Sequence, residues 1–239
     1  MEQSSTRPVC VPLPVPVGVD ITLPAQLVLI AKQPVAGRVK TRLTPALSAA
    51  EAAEVAAACL QDTVAVLRAG SAARIVVVLD GSPDGLGLAD LAVHPQVEGG
   101  LDVRLAAAFQ TAFTDSSLPA LLVGMDTPQM TPDLLDDALR QLLDVDTDAV
   151  LGCTEDGGWW ALGLTGADPG LLHGVPMSTP GTGAAQRERL TSYGLRVAEL
   201  PVLRDIDLVE DLQAVAGLLV RTGRSGALVP LARRLGRAG

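Results

Sequence analysis

Short, unbroken apolar runs recur along this chain, and each leads through a loop into a helix-like segment. Residues 27–31, 74–79 (with Ile75-Val76-Val77-Val78), 120–124 and 149–152 are such runs. They are too short for buried helices and too continuous for strands wetted on one face. The spacing predicts further strands over 159–164 and 196–200. Helices are predicted over 48–67, 101–113, 131–143, 183–193 and 208–220. Ser48 with Glu51 three residues on forms a capping box, and Thr131 followed by Pro132 is a helix start. Alternation of this kind implies an α/β, Rossmann-like fold: a mainly parallel mixed sheet with helices on both faces. Ligands in such folds bind outside the carboxyl ends of the strands, so the loops that follow them carry the interest.

The flanks read differently. Residues 1–24 form a Pro-rich extension, with Pro8, Pro12, Pro14, Pro16 and Pro24 suited to extended or polyproline backbone. Residues 25–220 form the domain. Residues 221–239 form a basic tail, either a short amphipathic helix or a frayed end. The 239 residues suffice for one large domain. No apolar run reaches the ~18 residues of a membrane span. No basic start followed by an apolar segment marks a signal peptide, so a cytoplasmic location is expected. A net charge of −9 disfavours a general nucleic-acid binder. Cys10, Cys59 and Cys153 are too scattered for a zinc site, and His94 and His173 cannot make a histidine-rich metal centre. A bound metal would need carboxylates, which suits Mg²⁺ or Mn²⁺.

The basic residues are unevenly divided, with 2 lysines against 16 arginines. Both lysines fall in the first loop, Lys32-Gln33-Pro34-Val35-Ala36-Gly37-Arg38-Val39-Lys40-Thr41-Arg42. Four of the 18 basic residues lie within these 11 positions, where a uniform spread would give roughly one. The loop follows a buried strand, and Gly37 lets the backbone approach a ligand closely. It is not a P-loop, which needs a second glycine and G-K-[ST]. It is either a phosphate-binding loop or a solvated basic turn.

Three acidic stretches could face it. Asp126 ends the run Leu121-Leu122-Val123-Gly124-Met125. It is a metal-ligand candidate or a turn aspartate. Asp205 and Asp207 share a face if their segment is extended. They complete a metal site, or Asp207 caps the following helix. Asp156-Gly157-Gly158-Trp159-Trp160 is a tight turn in which Asp156 meets a substrate hydroxyl or the metal, or else an ordinary hairpin turn. Both tryptophans of this aromatic-poor chain lie there, as a binding wall would require.

Taken together, these segments resemble the bacterial glycosyltransferase-like family related to 2-phospho-L-lactate guanylyltransferase. That family lies in the nucleotide-diphospho-sugar transferase superfamily of GT-A fold. Lys32 through Leu43 is similar to its K-x-P-x-x-G-x-x-K-T-R-L opening. Gly124-Met125-Asp126-Thr127-Pro128 is similar to its G-x-D-x-P strand end, and Asp156 through Leu164 to D-G-G-Y-Y-x-x-G-L. Asp205-Ile206-Asp207 with Asp211-Leu212 resembles D-x-D-T-x-x-D-L. The likeness runs in order over about residues 27–216. Two segments depart from it. In Gln96-Val97-Glu98-Gly99-Gly100-Leu101-Asp102-Val103-Arg104 the acid falls two places late, and W-S-T-P becomes Met177-Ser178-Thr179-Pro180.

The resemblance implies a metal-dependent transferase acting on a nucleotide or nucleotide-sugar and a small-molecule acceptor. Lys32, Gly37, Arg38, Lys40, Thr41, Arg42, Gln96 and Arg104 would hold the nucleotide and its phosphates. Asp156, Gly157, Gly158 and Trp159 would contact substrate. Asp126, Asp205 and Asp207 would bind Mg²⁺ or Mn²⁺, with Lys40 and Asp126 at the chemistry. Four cations suit a triphosphate and its departing pyrophosphate, which favours nucleotidyl transfer. Glycosyl transfer from a nucleotide-sugar is the alternative, and a non-catalytic nucleotide-binding module is the second.

Overall fold

In the computed structural model, which describes residues 22–44 and 46–236, the first strand is the axis of a seven-stranded sheet. This strand, β1 (Leu23–Lys32), feeds two cores. Leu23, Ala25, Leu27, Leu29 and Ala31 pack into one layer, and Val28 and Ile30 into the other, as a period of two requires. Gln26 is the polar exception. It is fully buried, and its amide donates to the carbonyls of Ala112 (3.2 Å) and Leu118 (2.9 Å).

The remaining elements follow in the predicted alternation: α1 (Ala49–Ala69), β2 (Ala72–Asp80), β3 (Ala92–Pro95), α2 (Leu101–Asp115), β4 (Ala120–Gly124), α3 (Pro132–Leu142), β5 (Ala149–Thr154), β6 (Trp159–Leu164), α4 (Thr182–Ser192), β7 (Val197–Leu203), α5 (Val209–Arg221) and α6 (Leu228–Leu235). The sheet order is β3-β2-β1-β4-β6-β5-β7. Pairings are parallel except the two that β6 makes with β4 and β5. This is the expected mainly parallel mixed sheet. α1 and α3 cover one face, and α2 and α4 the other. The Ser48–Glu51 capping box forms, with Glu51 N–H donating to Ser48 Oγ and Ser48 N–H to Glu51 Oε2 (3.3 and 2.8 Å). Thr131 caps α3 through Leu134 N–H (3.1 Å). β3 was not foreseen, because four residues containing His94 and Pro95 carry no apolar run.

A third layer lies outside α1. Leu43, Ala52, Val55 and Cys59 meet Ile206, Leu212, Val215 and Leu219, closed over by Leu228, Val229 and Leu235 of α6. α1 is therefore buried on two sides, and its many alanines allow both neighbours to approach closely. The Pro-rich reading of residues 1–21 lies outside the described residues, as does the end of the basic segment at 237–239. Leu23 and Pro24 belong to β1. No described helix is long and apolar enough to cross a membrane.

This topology sends the loops after β1, β4, β5 and β7 to one rim of the sheet. β6 runs the opposite way, so it starts at that rim and its turn from β5 joins the group. Residues 33–42, 125–130, 155–158 and 204–207 converge there. The turns before β2, β4, β5 and β7 lie at the other rim.

Candidate active site

A cleft of about 720 Å³ opens at that rim. Lys32, Arg38, Lys40, Thr41 and Arg42 line it from the first loop, with Gln96 and Arg104 beside them. Asp126, Asp156, Gly158, Trp159, Asp205 and Asp207 line it from the others. Gly37 and Gly157 do not line it. They bend the backbone instead, at φ 78° and 89°.

Lys40 is the pivot. Its side chain is only 5% exposed, and its Nζ lies 2.6 Å from Asp126 Oδ1. The ammonium also donates to the Ile206 carbonyl. Burial opposes the charge, but Asp126, with Cys59 and Asp207 behind it, holds the ammonium's pKa above the ordinary lysine value. Cys59 lies beneath it on α1, its thiol pushed up to about 12 by burial. Lys40 adopts left-handed backbone, φ 49° and ψ 35°. Among the described residues the other non-glycine with positive φ is Ser178 (57°), which also lines the cleft. Such conformations cost about 1–2 kcal/mol each and persist where the surroundings dictate them.

Ile206 explains how the two late aspartates are presented. It is fully buried in the third layer, and its N–H donates to the Asp126 carbonyl (3.0 Å). An extended residue pointing inward turns its neighbours on either side outward, and both Asp205 and Asp207 line the cleft. Asp207 does not cap α5. That role falls to Asp211, which accepts from the N–H groups of Asp207 (3.2 Å) and Leu208 (2.8 Å). Asp207 instead meets Arg42 at 2.5 Å.

Asp156, Asp205 and Asp207 each bring a carboxylate oxygen within 4.8 Å of the others. Asp156 therefore joins the two acids read as metal ligands, while Asp126, read with them, engages Lys40. Burial, then Asp156 and Asp207, push Asp205 up to about 6, as expected of a half-buried carboxylate crowded by two others. Asp156 is held by Thr154 Oγ1 (2.6 Å) and Gly158 N–H (2.9 Å). Its glycines have a packing reason: a Cβ on Gly157 would overlap the Pro180 carbonyl oxygen, and Gly183 N–H donates to the Gly157 carbonyl (2.8 Å). The turn and the 177–180 loop thus form one wall. Both tryptophans line the cleft; Trp159 packs against one core, and Trp160 belongs to the other, its indole N–H donating to the Pro201 carbonyl (2.9 Å).

Gln96 is fixed by the carbonyls of Ala31 (2.7 Å) and Val78 (3.2 Å), and its own oxygen accepts from Arg104 (3.2 Å). The shifted acid, Asp102, leaves the cleft. It accepts from Gly174 N–H (2.9 Å), which holds its carboxyl below the usual range. Arg38 is largely exposed, 3.9 Å from Asp80. His94 pairs with Asp115 (3.1 Å), and neither histidine lines the cleft. Sequence reasoning gave no role to Ile206 or Ser178. An apolar residue between two acids was the available signal for the first. Nothing in the sequence marks left-handed backbone at the second.

A family model described as "uncharacterized protein conserved in bacteria (DUF2064)" matches residues 63–179, just under half the chain. No curated protein matches the chain. Among solved structures, one from Desulfovibrio desulfuricans G20, provisionally named a nucleotide-diphospho-sugar transferase, is 25% identical. It superposes with a TM-score of 0.80 over 88% of this chain and 94% of that one. A nucleotidyl transferase from Methanothermobacter thermautotroptrophicus is 17% identical, with a TM-score of 0.52 and coverage of 83% and 99%. A 4-diphosphocytidyl-2C-methyl-D-erythritol synthase from Anaerococcus prevotii DSM 20548 is 11% identical, with a TM-score of 0.52 and coverage of 82% and 99%. The last two share the fold.

Proposed function

We propose, for a chain whose fold fits the GT-A-like nucleotide-diphospho-sugar transferase superfamily, a metal-dependent transferase site with nucleotidyl transfer as its reaction. The substrates are a nucleoside triphosphate and a phosphorylated small molecule. The observation that carries this reading is Lys40. It is a buried ammonium in a strained backbone conformation, tied to Asp126 and facing the cleft amid three further cations. Lys32, Arg38 and Arg42 would hold the triphosphate from the open side. A compact ammonium on a flexible stem suits a phosphate charge that shifts during reaction better than a planar guanidinium does.

The donor set fits a hard divalent ion. Asp156, Asp205 and Asp207 supply oxygens that lie within 4.8 Å of one another, the hard donors such an ion takes. These three would hold Mg²⁺ or Mn²⁺, with Asp126 beside them. Such an ion, when bound, supplies charge neutralisation for the phosphate oxygens. The chain's own residues do the rest. An acceptor phosphate oxygen forms a bond to the α-phosphorus. The bond from that phosphorus to the bridging oxygen breaks, and pyrophosphate leaves with the electron pair. Lys40 would neutralise the charge that grows on the leaving group, a role typically worth 10²–10³ in rate. The Trp159 wall would exclude water.

Pyrophosphate release from nucleoside triphosphates, with candidate phospho-acids and Mg²⁺ or Mn²⁺, tests the reading. Metal-dependent release that vanishes in Lys40→Ala is expected. The name of the 25%-identical structure favours a second reading, glycosyl transfer from a nucleotide-sugar. Nucleoside diphosphate released only from nucleotide-sugars would establish it. Metal-dependent nucleotide binding with no turnover would leave a binding module.

A further inference from the structure

The turn that carries Asp126 is buried, from Thr127 through Met130, and its carbonyls need partners. The Thr127 carbonyl accepts from Met130 N–H (3.1 Å) within the turn. Those of Asp126, Pro128 and Gln129 are served by the last part of the chain. Ile206 N–H donates to the Asp126 carbonyl (3.0 Å). Arg224 donates through one guanidinium nitrogen to the Gln129 carbonyl (2.6 Å) and through the other to the Pro128 carbonyl (3.3 Å). Two successive carbonyls engaged by one planar fork fix both distance and direction, which a lysine cannot reproduce.

Arg224 is itself held. Its N–H donates to the Leu219 carbonyl (2.8 Å) after Gly223 turns the chain left-handed (φ 68°), closing α5. Just beyond, Ala227 and Leu228 N–H groups donate to the Asp62 carboxylate of α1 (2.6 and 3.1 Å). A side chain at Gly226 would collide with that carboxylate. The α5–α6 corner is thus clamped to α1 on one side and to the Asp126 turn on the other. Arg224 does not line the cleft.

We infer that Arg224 is a positioning residue. From the α5–α6 corner it fixes the carbonyls of Pro128 and Gln129, and through them the placement of Asp126 and its partner Lys40. Its catalytic consequence rests on the nucleotide-transfer reading, while its geometric consequence does not.

Arg224→Ala, Arg224→Lys and a control, Leu164→Ala, would be compared. Leu164 is buried at the rim away from the cleft. Two readouts are needed: turnover with KM and kcat separated, and amide hydrogen exchange without substrate. Arg224→Ala should lower kcat about 10- to 100-fold, the usual scale for misplaced reacting groups, with little change in KM. It should speed exchange at Ile206 and Met130 but not at Leu122 and Val123. Arg224→Lys should recover part of kcat. The control, compared at equal loss of Tm, should keep wild-type kcat and exchange. Unchanged exchange at Ile206 and Met130 in Arg224→Ala overturns the inference, as does a kcat loss that the control reproduces. If wild type turns over no nucleotide, the transfer reading fails, and the exchange measurement alone still decides Arg224.

Discussion

Lys40 tolerates a backbone geometry that glycine would adopt freely. This separates its chemical role from its conformational cost. Lys40→Gly and Lys40→Ala both remove the ammonium, and both should abolish transfer. In denaturant unfolding the glycine variant should be the more stable by about 1 kcal/mol. Asp205 makes a prediction in pH. Its carboxyl is pushed up to about 6, above the ordinary 3.8. The folded state therefore binds its proton more tightly than the unfolded chain does. That contribution is complete below the ordinary carboxylate pKa and is lost as pH rises through about 6. Without metal, Asp205→Asn should raise Tm at pH 7.5 and leave it nearly unchanged at pH 4. With Mn²⁺ added at pH 7.5 the order should reverse, because the wild type gains a ligand the variant lacks. Differential scanning calorimetry at the two pH values checks both parts.

The turn between β5 and β6 owes its shape to Gly157, where φ is positive and the Pro180 carbonyl leaves no room for a side chain. Gly157→Ala should destabilise the fold by about 2–3 kcal/mol and weaken metal-dependent nucleotide binding, because Asp156 sits on the same turn. Thermal shift with and without Mn²⁺ reads both effects. The elements themselves were largely legible, since β1, β2, β4 and β5 are buried on both faces and leave continuous apolar runs. β3 was not, being four residues long with no such run. Within the site, the basic loop and the aspartates stood out by density and by position at strand ends. The pairing of Lys40 with Asp126 did not, because 85 residues lie between them and only the β1–β4 pairing brings their loops together. Asp156 could be seen as an acid in a tight turn. Its grouping with Asp205 and Asp207 depends on β5 pairing with both β6 and β7, which no local pattern encodes.

At the scale of the molecule, three layers depend on one another: the sheet, α1 on it, and α5 with α6 outside. Ending the chain after Gly223 would strip Leu228, Val229 and Leu235 from the core they share with α1 and α5, and would take Arg224 with them. Burying side chains of this size contributes about 1.5–3 kcal/mol apiece. The truncated protein should therefore lose several kcal/mol in urea unfolding, together with its nucleotide-dependent Tm shift. The rim away from the cleft has the opposite character. There the turn of residues 144–147 carries Val145, 88% exposed, on the far side of the sheet from every cleft-lining loop. A fluorophore, an affinity handle or a surface tether spliced in after Val145 would leave the nucleotide face pointing into solution, so the molecule comes with a back by which it can be held.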